Sequence, residues 1–102
     1  MNEKLEKLFS RLHEVEEQLG LPNVLSDQKL YRQLTQEHSQ LSELKEVWEH
    51  LNTVLKQLEE NKALLQTESD GEMQELLREE VARQEAEREL LLTRVQTLLV
   101  PP

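Results

Sequence analysis

The sequence predicts an all-α chain: one short helix and two long ones, folded antiparallel into a three-helix, coiled-coil-like bundle. Three observations carry this expectation. Leucines and valines recur at three- and four-residue intervals through most of the chain, the spacing of a helix with one apolar face. Glycine occurs only at Gly20 and Gly71 and proline only at Pro22, Pro101 and Pro102, so long helices can run uninterrupted. The hydrophobic fraction is 36%, below the roughly 45–50% of an average globular domain. That is too little for a thick sheet-based core, but enough for helices that each bury one stripe. At 102 residues there is room for one domain.

The first helix is expected over about Glu3 to Leu19, with Asn2 as a cap and Glu3 in the first turn, where the helix dipole favours an acid. Leu5, Leu8, Leu12, Val15 and Leu19 share one face, and Phe9 widens it. Gly20 stands where a left-handed cap would end the helix, and Pro22 prevents its immediate resumption. LPNV reads as a short connector. Ser26 is the expected cap of the second helix, which meets no breaker before Thr67 and would be roughly 60 Å long. Its stripe is Leu34, Leu41, Leu44, Trp48, Leu51, Leu55, Leu58 and Leu65, lapsing at Glu37 and Lys62, with Val47 and Val54 broadening it towards a second neighbour. TESDG is the next turn. There Ser69, with Glu72 three residues on, forms a capping-box pattern. The third helix runs to about Leu99. Met73, Leu77 and Val81 open its stripe and Leu91, Val95 and Leu98 close it, but Gln84 and Arg88 fill the middle. Local pairs such as Glu79–Arg83 would support that stretch.

Short turns make successive helices antiparallel. Folding the third helix along the second sets Leu98 near Leu41, Leu91 near Trp48 and Leu77 near Lys62. The first helix, folded back from the other end, sets Leu12 near Leu34 and Leu5 near Leu41. All three then overlap around Leu41 to Trp48, where Trp48 is expected in the core. Residues 1–100 would form this domain. The apolar stretch from Leu90 to Val100 would complete the core, and Pro101 and Pro102 would begin a linker at a cut in a longer chain.

Charge and chemistry narrow the functions. Net charge is −9, from twelve Lys and Arg against twenty-one Asp and Glu. Residues 68–89 alone hold nine acids against Arg78, Arg83 and Arg88. Direct nucleic-acid binding, which requires a basic face, is not expected. Such a run is a solvated helix face or a docking surface for a basic protein partner. With no cysteine there is no thiol chemistry, which suits a reducing cytosol. No stretch approaches the roughly 20 apolar residues of a membrane span. Glu46 and His50, one turn apart, could supply two metal ligands, but no third is evident; His13-Glu14 begins no zinc-protease motif. His13, His38 and His50 read as helix-surface residues. No catalytic, cofactor-binding or metal residue is expected, and the chain is not expected to be an enzyme by itself.

Order and spacing resemble a known family. A leucine-striped helix and a proline-bearing connector lead into VLSDQKLYRQLTQEHSQLSEL. A long helix then ends near LLQTESDGEMQELLREEV, and a leucine-rich helix exits at LLVPP. Together these look like the N-terminal helical domain of bacterial class I peptide chain release factors. Asp70, Glu72 and Met73 match its D-x-E-M segment, and Leu98, Leu99 and Pro101 its L-L-x-P exit. The likeness is strongest to the branch that reads UAA and UAG; the sister branch usually begins with extra residues. The resemblance implies a cytoplasmic translation-termination factor acting on the ribosome. Its codon-reading and Gly-Gly-Gln loops would lie downstream, so no residue here inherits either role. It also implies a helical projection towards the base of the ribosomal stalk. Contacts to the GTPase release factor and to the methyltransferase of the catalytic glutamine would follow. The competing readings are a free-standing structural coiled coil or adaptor, which needs an unbroken apolar seam, and a helical chaperone, which needs an exposed apolar groove.

Overall fold

The computed structural model describes residues 2–100; Pro101 and Pro102, the expected start of a linker, lie outside the described residues. Among the described residues every regular element is a helix: α1 (Asn2–Gln18), α2 (Pro22–Leu25), α3 (Gln28–Thr67) and α4 (Gly71–Leu99). The all-α class and the short-long-long order are those the sequence predicts. The one-turn helix α2, read as a connector, is an addition. Contacts divide the chain into two units, Met1–Glu46 and Val47–Pro102.

In the first unit, α1 lies antiparallel to the start of α3. Arg11 pairs with Glu37, and Glu16 faces His38. Leu5, Leu12 and Val15 are buried and Leu8 and Leu19 half-buried, so the expected α1 stripe forms. Gly20 does not take the left-handed conformation. Instead α1 unwinds through tight turns, Gly20 N–H donating to the Glu17 carbonyl and Leu21 N–H to that of Gln18. Leu21 is extended, and Pro22 then opens α2 at a position where a helix does not need its missing N–H. This extra turn has a packing consequence. Val24 is buried with Val15 and Leu34, and Leu19 and Leu30 pack on the cluster. α3 is capped by Asp27, one residue later than expected: its Oδ1 accepts from Leu30 N–H at 3.1 Å. The Ser26 hydroxyl turns back to the Asn23 carbonyl.

In the second unit, α4 runs antiparallel to the second half of α3. The buried residues of this unit are Leu51, Val54 and Leu58 on α3 and Leu77, Val81, Gln84 and Val95 on α4. The stripe thus takes Val54 (3% exposed) rather than Leu55 (38%). Both positions flank the line through Leu51 and Leu58, and where α4 packs decides between them. Trp48 is half-buried and stands outside the buried set.

Candidate docking surface

The second unit forms a two-helix arm whose turn is ordered by its own acids. Glu68 Oε1 accepts from Asp70 N–H at 3.1 Å, and the Gln74 amide donates to the Glu68 carbonyl at 2.6 Å. Asp70, not Ser69, caps α4, its Oδ1 accepting from Glu72 N–H. Asp is as good a cap as Ser, and choosing Asp70 lets α4 start at Gly71.

The weak middle of the α4 stripe has a partner. Gln84 is 2% exposed, and its Oε1 accepts from Asn61 Nδ2 at 3.1 Å. The half-buried Asn61, which was not among the expected lapses of the α3 stripe, thus supplies the partner that burial of the Gln84 amide requires. The expected pairing of Leu77 with Lys62 would have set Gln84 opposite Leu55; Asn61 lies six residues further along α3. Lys62 reaches Glu85 instead, at 3.9 Å, an exposed pair.

Around this seam the arm is covered with carboxylates, many of them tied to neighbours. Arg83 holds Glu80 and Glu87, in place of the expected Glu79. Its hydrogen bond and charge keep the Glu80 carboxyl below the usual carboxylate range. Arg78 reaches Glu75, and Arg88 reaches Glu85 and Glu89. Glu59, Glu60, Glu72 and Glu79 are exposed and make no ion pair among the described residues. Residues 47–102 hold twelve acids against six Lys and Arg. Leu64, Met73 and Leu76, close to the turn, are exposed among them. A surface of unpaired carboxylates with scattered apolar side chains can hold a basic protein surface; it offers nothing to a phosphate backbone.

The histidines are exposed or half-buried, each beside a glutamate: His13 by Glu17, His38 by Glu16, and His50 2.9 Å from Glu87. Glu46 and His50 gain no third ligand; no group of three or more His, Cys, Asp and Glu among the described residues is placed to hold a metal ion. No described helix is long and apolar enough to cross a membrane.

A family model described as PCRF domain matches residues 8–102. The chain belongs to the PCRF domain family. Along its whole length this PCRF domain is 40% identical to peptide chain release factor 1 of Treponema denticola and 39% identical to that of Chlamydia trachomatis. It is 36% identical, over 99% of its length, to that of a Geobacillus strain. It spans 28% of the length of each of these relatives. No solved structure matches it. The family is the one that the order of leucine stripes, proline connector and TESDG turn suggests.

Proposed function

We propose that this PCRF domain is a non-catalytic docking arm of a cytoplasmic factor that directs translation termination at UAA and UAG on the ribosome. Codon reading and ester hydrolysis belong to parts of the factor outside the matched stretch. The arm engages protein partners: the stalk-base region of the ribosome, the GTPase release factor and the methyltransferase of the catalytic glutamine. The observation that carries this reading is the likeness to release factor 1 proteins through all 102 residues. The acidic arm supports it, because a solvated carboxylate surface suits basic protein partners and suits neither chemistry nor RNA. The part-buried Asn61–Gln84 pair interrupts the apolar seam that the free-standing coiled-coil reading needs unbroken.

A chimaera tests the proposal. This chain replaces the matching residues of the Treponema denticola factor in a reconstituted translation system. The chimaera should release peptide at UAA and UAG, and the chain alone should release none. Release by the chain alone, or a chimaera no better than a factor lacking the segment, contradicts the reading.

A further inference from the structure

We propose that the hollow at the α2–α3 corner, in the first unit, docks an acidic protein segment that presents one apolar anchor residue. The site is distinct from the arm and does not rest on the translational reading.

The hollow holds about 400 Å³ and is lined by Leu25, Gln28, Tyr31, Arg32, Thr35 and Gln36. Its apolar floor follows from local packing. Val24 takes the core position of α2, which leaves its neighbour Leu25 58% exposed. Leu30 and Leu34 take the core face of α3, which leaves Tyr31 43% exposed. Leu21, just before α2, is also exposed. Three large apolar side chains left in water at one corner mark a contact surface.

Charge selects the occupant. Residues 28–36 contain Lys29 and Arg32 and no acid, in a chain of net charge −9. Of the two acids that flank this stretch, Asp27 is occupied in capping α3 and Glu37 in its pair with Arg11. Arg32 and Lys29 make no ion pair among the described residues, whereas Arg11, Arg78, Arg83 and Arg88 each hold a glutamate. The hollows along α1, by contrast, set Glu3, Glu6 and Glu14 among their basic residues Lys7 and Arg11, and Arg11 is already held by Glu37 and Glu14. The Arg32 guanidinium can take a carboxylate with two parallel hydrogen bonds. Leu25 and the Tyr31 ring receive the anchor. Gln28 and Gln36 supply donors and acceptors for the partner's backbone; the Thr35 hydroxyl is already spent on the Tyr31 carbonyl. Screening over roughly 8–10 Å lets this local basic spot act despite the acidic remainder. A long polyanion would meet that remainder, and a short peptide segment does not.

The test is selection from a random-peptide phage library on the whole chain. Selected sequences should be rich in Asp and Glu around one Leu or aromatic residue. A synthetic copy of the best one should shift the amide resonances of residues 25–36. Arg32→Glu, an exposed change whose folding circular dichroism verifies, should weaken binding about tenfold or more. Arg32→Lys should weaken it less, and Tyr31→Ala should weaken it with charge unchanged. The proposal is overturned by any of four results: no selected binder, basic selected sequences, resonance shifts confined to residues 47–99, or equal affinity for Arg32→Glu.

Discussion

Gln84 is the residue on which the arm turns: a polar side chain almost fully buried, satisfied by one amide from the facing helix. Its position was legible in the sequence as a gap in a leucine stripe. Its partner was not, because periodicity placed Lys62 rather than Asn61 on the facing stripe. Removing Asn61 leaves the buried Gln84 amide without its partner, at a cost of about 1–3 kcal/mol. Asn61→Ala should therefore lower the urea midpoint clearly. Asn61→Leu with Gln84→Leu should recover the loss or exceed it, at the expense of a unique helix register. A double-mutant cycle with no coupling would show that the pair is incidental. In the first unit, Arg11 binds Glu37 through two hydrogen bonds at 2.7 and 2.8 Å. The Arg11 hydrogen bond holds the Glu37 carboxyl below its usual range, against the opposing effect of burial. A depressed folded-state value means stability that is present above the ordinary carboxylate pKa. It is lost as pH falls through the lower, folded value. Both side chains are about one-third exposed, so screening limits the contribution to about 1 kcal/mol or less. Glu37→Gln should remove that contribution at neutrality, about 1 kcal/mol or less, and converge with the parent as pH falls, which flattens the acid limb of stability against pH. An unchanged acid limb would contradict the assignment.

At the scale of elements, sequence patterns located both long helices and their ends at Thr67 and Leu99, but set each start one residue early. TESDG and LSDQ each offer a Ser followed within two residues by an Asp, and Ser and Asp cap about equally well. The tie is broken by the neighbouring turn, through Glu68 and Gln74 at one site and Asn23 at the other. Asp70→Ala should cost about 0.5–2 kcal/mol in thermal unfolding and Ser69→Ala close to nothing. The reverse ranking would restore the capping-box reading. The connector hid α2 because a four-residue helix has no periodicity to display; only the burial of Val24 reveals its purpose. The same limit explains Leu55. Helical spacing defines a stripe about two residues wide, and the packed partner chooses within it. Leu58→Ala should cost about 2–5 kcal/mol, as for a core leucine, and Leu55→Ala far less. Trp48, half-buried, should cost less on truncation to Ala than the ~3–5 kcal/mol of a core aromatic.

Across the whole molecule, the all-α class was legible because it depends on composition and period. The acidic surface was legible as a sum of charges, but not its division into paired and unpaired carboxylates, which needs three dimensions. That division supplies the most direct test of an arm that docks without doing chemistry. In the release-factor chimaera, Glu59→Lys, Glu60→Lys and Glu79→Lys reverse three exposed carboxylates that hold no ion pair among the described residues. Single-turnover peptide release and turnover stimulated by the GTPase factor are then measured side by side. Single-turnover release should stay unchanged and stimulated turnover should slow by about tenfold, near 1.4 kcal/mol of lost docking. Impaired release with stimulation intact would contradict a docking role.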